Sequence, residues 1–184
     1  DMRKTKFVWL GTTQKFDAFT FIFKPNEHGW FYNHAYQYGQ GKGLAASTWI
    51  LETHEDTWMC AGLDQSNEAE TIAYFEDMFR EELEGHKLLS NKSIWRNFPV
   101  VSNQNWYHEN VVLIGDAAHT AQFSIGSGTK IAMEGAISLL KSIEEEGSIS
   151  SALTKYQEKR EIEISRLQRS AMVSLQWYEN ARRY

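Results

Sequence analysis

The sequence predicts an α+β fold: an antiparallel sheet with packed helices, then a strand–turn–helix unit, then C-terminal helices. Three observations lead there. Residues 1–50 carry short aromatic-rich runs bounded by turn residues. Residues 111–130, VVLIGDAAHTAQFSIGSGTK, pass from an apolar run through an acid and a glycine-rich turn into a helix-like segment. From Ser150 onward apolar residues recur at helical spacing.

In order along the chain, Lys6 to Leu10 is a short strand candidate. Phe19 to Phe23 (FTFIF) and Trp30 to Tyr38 (WFYNHAYQY) form a hairpin through Pro25-Asn26-Glu27-His28-Gly29. Gly39 to Gly43 (GQGKG) breaks the pattern, and Ala46 to Thr53 reads as a further strand, so a sheet of three or four strands is expected. Alternation puts Trp30, Tyr32, His34, Tyr36 and Tyr38 on one face, and Phe31, Asn33, Ala35 and Gln37 on the other. One face should pack on helices and the other line a cavity or interface.

Glu55 to Gly62 suggests a short helix. Asn67 to Leu83 is a clear one, with Ile72, Phe75, Phe79 and Leu83 on one face and Gly85 as its stop. Ile94 to Val101 looks like a strand, and Val111 to Ile114 like a buried one. After Gly128 the expected apolar stripe is Ala132, Ala136, Leu139, Leu140 and Ile143, closed by Gly147. The last pattern runs through Leu153, Tyr156, Ile164, Leu167, Ala171, Leu175 and Tyr178, with Ser150 or Ser151 as cap. A periodic helix of that length is expected to break once or to need a partner surface.

The formal net charge of −5 and a pI near 5.7 argue against a nucleic-acid partner. No apolar run approaches the ~18 residues of a membrane span, so no membrane partner is expected. Cys60 is the single cysteine and cannot form an internal disulfide, which fits a reducing, cytoplasmic setting. The chain starts at Asp1 rather than Met and is expected to be a piece of a longer protein.

Residues 111–130 carry the chemistry. An acid after a strand can hold sugar hydroxyls. Glycines let the backbone approach a ligand closely, and a helix N-terminus favours negative charge. A dinucleotide site normally opens with GxGxxG, and that motif occurs nowhere in the 184 residues. Neither a GxSxG elbow nor metal-ligand spacing such as HExxH is present.

GDAAH followed by a glycine-rich turn and a helix resembles the second flavin motif of the group A aromatic hydroxylases, the p-hydroxybenzoate-hydroxylase-like FAD monooxygenases. The match is closer to the branch acting on aryl-CoA thioesters, exemplified by salicylyl-CoA 5-hydroxylase and 2-aminobenzoyl-CoA monooxygenase/reductase. FVWLGTT, FDAFTFIF, GWFYNHAYQY, LLSN and the terminal WYENARRY resemble that branch too, so the likeness covers nearly the whole chain. Two positions depart from the broad family: Gln122-Phe123 replaces the usual Pro-Pro, and Lys130 stands for the Asn that often follows GxG. The WxWxIP-like motif of flavin halogenases is absent.

The resemblance implies FAD as cofactor, NAD(P)H as reductant, and transfer of one oxygen atom from O2 to an activated aromatic ring. It implies that Asp116 bonds the ribityl hydroxyls and that Gly115 lets the strand end approach. Gly126, Gly128, Thr129 and Lys130 would then present the helix N-terminus to the flavin. Lys130 either places a cation near the flavin or faces solvent. His34 and Tyr36 lie on the sheet that would roof the substrate cavity; they either bond a phenol or aniline or belong to an aromatic core face. His119 either approaches flavin or substrate or is a structural histidine bonding backbone.

The resulting division is 1–109 as a substrate-binding sheet domain, 110–146 as a FAD-contacting strand–turn–helix, and 147–184 as C-terminal helices. The ADP-gripping half would lie before Asp1. The expected partner is a small aromatic substrate, as an aryl-CoA thioester. Apolar surface left open could drive homo-oligomer formation. The isolated piece should be inactive and bind FAD weakly or not at all. The competing reading is a non-catalytic binding or oligomerisation module that kept the fold.

Overall fold

The computed structural model describes residues 2–38, 46–90 and 92–180. The expected GQGKG break, Asn91 of LLSN and the last four residues of WYENARRY fall outside the described residues. Contacts divide the chain into two units: one is Lys4–Phe98, the other Asp1–Arg3 with Pro99–Tyr184.

In the first unit, β1 (Met2–Thr12), β2 (Thr20–Asn26), β3 (Gly29–Gln37) and β4 (Ser47–His54) form the antiparallel order β2-β3-β4-β1. The hairpin turn is tighter than expected: Pro25 and Asn26 belong to β2, and Asn26 Oδ1 accepts from the amides of His28 and Gly29. α1 (Glu55–Cys60), α2 (Glu68–Met78) and α3 (Arg80–Leu83) follow. β5 (Leu88–Leu89) and β6 (Arg96–Pro99) both pair with β1, making six strands rather than three or four. The two-residue β5 is too short to show alternation.

Register explains the faces. Phe31 opposes Thr53, Ala35 opposes Trp49, and Trp49 and Leu51 oppose Leu10 and Val8. This face is the helix-covered core, where Phe31 meets Phe75 edge-on at 5.5 Å and Trp49 meets Phe79 at 5.5 Å. Burying each such ring contributes about 1.5–3 kcal/mol. The expected helix over residues 67–83 starts at a full capping box between Asn67 and Glu70. It breaks at Phe79 (φ −105°, ψ 29°), yet Phe75, Phe79 and Leu83 all stay buried. Glu84, at φ 49°, supplies the left-handed cap one residue before the expected Gly85.

In the second unit, β7 (Tyr107–His108) and β8 (Val111–Val112) form a small hairpin. The expected buried strand over 111–114 is not found: only two residues pair, Val111 is 64% exposed and Ile114 44%. A single 3₁₀ turn, Gly115–Ala117, leads through a second at Phe123–Ile125 to α4 (Gly128–Glu145) and α5 (Ile149–Glu179).

α4 turns a different face inward from the one expected. Ile131, Gly135 and Ser142 are buried, whereas Met133, Ala136, Ile137, Leu140 and Ile143 are exposed. Small residues decide this: a Cβ on Gly135 would lie 3.6 Å from Tyr156 Oη, so α5 approaches closely there. α5 is one unbroken helix of 31 residues, capped by Ser148 rather than Ser150 or Ser151. Its partner surface is α4, and its expected stripe is buried apart from the partly exposed Leu167. Among the described residues no helix is long and apolar enough to cross a membrane.

Candidate functional site

The sheet unit carries one set of candidate residues. His34 and Tyr36 share a face with Glu52, because His34 pairs with Ile50 and Tyr32 with Glu52. His34 Nε2 lies 2.6 Å from Glu52 Oε1, and each side chain is only 1% exposed. Above them stand the rings of β2 and the segment before it: Phe21 is 4.6 Å from His34, and Phe19 stacks on Tyr36 at 5.0 Å. Phe19, Phe21 and Phe23 are exposed. The face is therefore an open aromatic platform over a buried imidazole–carboxylate pair. A carboxylate at that distance fixes the imidazole's orientation, as a residue that exchanges a proton with a bound hydroxyl or amine requires. Glu52 is absent from the sequence-based set. Its signal was available: it is the acid inside ASTWILET whose alternation puts it on the His34 face.

The second unit holds the remaining candidates. Gly115 sits at φ 56°, and an added Cβ would lie 3.3 Å from the Cβ of Ala132 on α4. Both the backbone conformation and the helix contact demand glycine there. The Gly115 carbonyl accepts from the amides of Ala118 and His119, which shapes the turn that leaves Asp116 exposed. Asn103 Nδ2 donates to the carbonyls of Ala117 (2.9 Å) and Ala118 (2.8 Å). Gln168 on α5 donates to the carbonyls of Val101 and Thr120. These two amide side chains thus satisfy four backbone carbonyls along the loop.

Gln122, where the resemblance expected proline, turns its side chain back to accept from Ser124 N and closes the second 3₁₀ turn. Gly126 (φ 65°) follows, with open space where a Cβ would stand; the same is true at Gly128. Ser127 donates its hydroxyl to the Ile125 carbonyl and does not cap α4. The first turn of this 18-residue helix, with Thr129 and Lys130 exposed, therefore lacks a side-chain cap. Free amides and the positive end of the helix dipole make this an anion-favouring surface. The Lys130 ammonium pairs with Glu134 at 2.5 Å along the outer face of the helix.

His119 is buried at 2% exposure beside Trp106, with ring centroids 5.0 Å apart. Its backbone bridges Ser102, but neither ring nitrogen has a hydrogen-bond partner among the described residues. Burial, and next the Arg160 charge, hold its pKa below the ordinary histidine value against the pull of Asp116. Burial likewise pushes the Tyr156 phenol up, with Arg160 opposing. Arg160 was missed in the sequence although it stands in the buried stripe of α5; it reaches Glu134 at 3.3 Å and Glu163. Among the described residues no group of three metal-ligating side chains occurs.

No protein-family model matches the chain. The sequence is 42% identical to a salicyloyl-CoA 5-hydroxylase of Streptomyces sp, across 100% of this chain and 37% of that protein. It is 33% identical to the protodeoxyviolaceinate monooxygenase of Chromobacterium violaceum, across 97% of this chain and 47% of that protein. The fold matches a probable FAD-dependent monooxygenase of Pseudomonas aeruginosa with a TM-score of 0.70 at 14% identity, covering 100% of this chain and 51% of that one. The chain spans less than half the length of the curated relatives it matches. Over its whole length the chain is similar in sequence to part of these monooxygenases, and in fold to about half of a probable FAD-dependent monooxygenase.

Proposed function

We propose that this chain is part of an FAD-dependent monooxygenase that hydroxylates an aromatic substrate presented as an aryl-CoA thioester, using NAD(P)H and O2. The observation that carries the reading is the uncapped start of α4, open at Gly126 and Gly128 and lying next to the Gly115-Asp116 turn. That surface fits a flavin. Asp116 is exposed and fixed in place for a sugar-alcohol chain, and Gly115 lets the backbone come close. The amides at Gly128, Thr129 and Lys130 suit the electron-rich edge of a reduced isoalloxazine. When bound, the flavin would supply the redox and oxygen-transfer chemistry.

The chain's own residues do the rest. His34, oriented by Glu52, takes or returns the proton of the ring substituent that activates the substrate. Tyr36, stacked with Phe19, offers a hydroxyl and a flat wall to an aryl group. His119 acts as a positioning residue under the Asp116 turn, since its ring is shielded from solvent. Lys130 steadies the first turn of α4 through Glu134. The thioester preference rests on the salicyloyl-CoA relative.

The test is made on the full-length protein. FAD should bind, and NAD(P)H oxidation should accelerate with an aryl-CoA and yield a ring-hydroxylated thioester. The free acid should do so far less. Failure to bind flavin at all would sink the enzyme reading and leave the non-catalytic module. Flavin binding with turnover of the free acid alone would sink only the thioester.

A further inference from the structure

We propose that Phe21 is a gate over the His34–Glu52 pair, and that an aromatic ring carrying a hydroxyl or amine takes its place when the pair is used. This rests on the reading of His34 as the group that exchanges a proton with substrate. Such exchange requires hydrogen-bond contact, directly or through one water. With 1% of each side chain exposed, neither His34 nor Glu52 can offer that contact in the closed arrangement. What covers the pair must therefore move before a substrate can meet it. Over the imidazole stand Phe21, at 4.6 Å and tilted by 57°, and Phe19, at 6.3 Å and edge-on at 76°.

Register puts Phe21 there. It is the β2 residue directly opposite His34, and directly opposed side chains stand on the same face of a sheet. Among the described residues β2 ends the sheet, with β3 as its neighbour on one flank. One side of the Phe21 ring therefore seals the imidazole while the other meets water, and the side chain is 41% exposed. Exposed side chains change rotamer within picoseconds to nanoseconds. Phe19 is held more firmly, stacked on Tyr36 at 5.0 Å and 16°. Phe21 lies between Phe19 at 5.0 Å and Phe23, which is parallel within 17° but 6.5 Å away. The looser contact is with Phe23, and the ring turns to that side. An aryl group entering the vacated place meets Phe19 and the imidazole as Phe21 did, because flat rings can replace one another in offset or edge contacts. It keeps water from the pair and brings its own hydroxyl or amine to His34. A saturated alcohol of the same size forfeits those ring contacts, so the gate selects aromatic substrates.

The test is carbethoxylation of the full-length protein with diethyl pyrocarbonate, followed at each histidine by peptide mass spectrometry. His108, exposed in the β7–β8 hairpin, is the internal reference. In the parent, His34 should react far more slowly than His108. Phe21→Ala should accelerate His34 about tenfold or more, the weight of one lost ring contact with its buried area. Phe21→Leu keeps apolar bulk without the flat ring and should fall between. Phe23→Ala removes an exposed ring opposite Tyr32, one pleat along, and should leave His34 slow. Thermal unfolding of each variant shows that the sheet is intact at the assay temperature. Saturating phenol should protect His34 in Phe21→Ala, and cyclohexanol at the same concentration should not. A parent His34 as reactive as His108 overturns the proposal, since the pair is then open without a gate. So does a His34 that stays slow in Phe21→Ala and Phe21→Leu, or one that Phe23→Ala accelerates equally. No protection by phenol, or equal protection by cyclohexanol, overturns replacement by an aromatic ring. The proton role of His34 fails on a different observation, unchanged kcat in folded Glu52→Gln enzyme, so the two failures are separable.

Discussion

His34 on β3 and Glu52 on β4 meet at 2.6 Å across the sheet while both are sealed from solvent. Truncating one partner of such a buried pair leaves the other uncompensated, at a cost of about 3–5 kcal/mol. Glu52→Ala is therefore expected to lower the urea midpoint sharply. Glu52→Gln keeps the shape and should cost less in stability. In the full-length enzyme it should lower kcat about 10²-fold or more if His34 handles the proton. Unchanged kcat in a folded Glu52→Gln protein would reduce the pair to a structural role.

Gly115 and Gly126 share a left-handed backbone but differ in surroundings. Each alanine replacement incurs backbone strain of about 1–2 kcal/mol. At Gly115 the new methyl also crowds Ala132, whereas at Gly126 it meets open space. Denaturant titration should rank Gly115→Ala as clearly more destabilising than Gly126→Ala. Equal losses would mean that the turn is free to retreat from α4.

The pKa of His119 is depressed in the folded chain, by burial first and the Arg160 charge second. The unfolded chain then takes up a proton near the ordinary value of about 6.5 while the folded chain does not. The contribution of this neutral histidine is complete above that pH and declines as pH falls towards the lower folded value. His119→Phe removes the titrating group and the two unpaired nitrogens together. The variant should lose less stability than the parent on going from neutral to mildly acid pH. An identical pH profile would show that His119 titrates normally.

Asp116 is exposed on a turn whose Ala117 and Ala118 carbonyls accept from Asn103, with Gln168 bonding the Thr120 carbonyl just after it. Asp116→Ala should leave thermal unfolding within about ±0.5 kcal/mol of the parent. On the flavin reading it should weaken FAD binding about tenfold or more in the full-length protein, one charge-assisted hydrogen bond being worth ~1.5–3 kcal/mol. Flavin fluorescence quenching measures the affinity directly.

Asn67 accepts from Glu70 N at 3.0 Å, and Glu70 returns a contact to Asn67 N at 2.9 Å. Asn67→Ala should cost about 0.5–2 kcal/mol. Calorimetry on the pair Asn67→Ala and Asn67→Ser would isolate the cap, since serine restores the acceptor.

Strict periodicity was readable wherever one surface decided the burial. The β2–β3 hairpin, the Phe75–Phe79–Leu83 face and the long stripe of α5 all follow from it. What escaped depended on partners distant in sequence. α4 has large apolar side chains around much of its circumference, so its pattern could not say that Gly135 and Ser142 face the neighbour. The kink at Phe79 leaves the spacing of buried residues nearly unchanged and is silent in the sequence. The Asp116 turn was legible as a motif, but its supports Asn103 and Gln168 were not, because amide side chains bonding carbonyls have no periodic signature. Glu52 and Arg160 did leave a mark, as ionisable residues occupying positions of a buried pattern.

The outward row of Met133, Ile137 and Leu140 on α4 contributes little to the folding energy of this chain. Polar replacements there should be nearly neutral in a saturation mutagenesis map scored on the amount of folded chain. Scored on catalytic output of the complete protein, the same three positions become informative. If they turn intolerant, that helix face is read by another surface in the complete protein. If they stay tolerant, drift alone has kept them apolar.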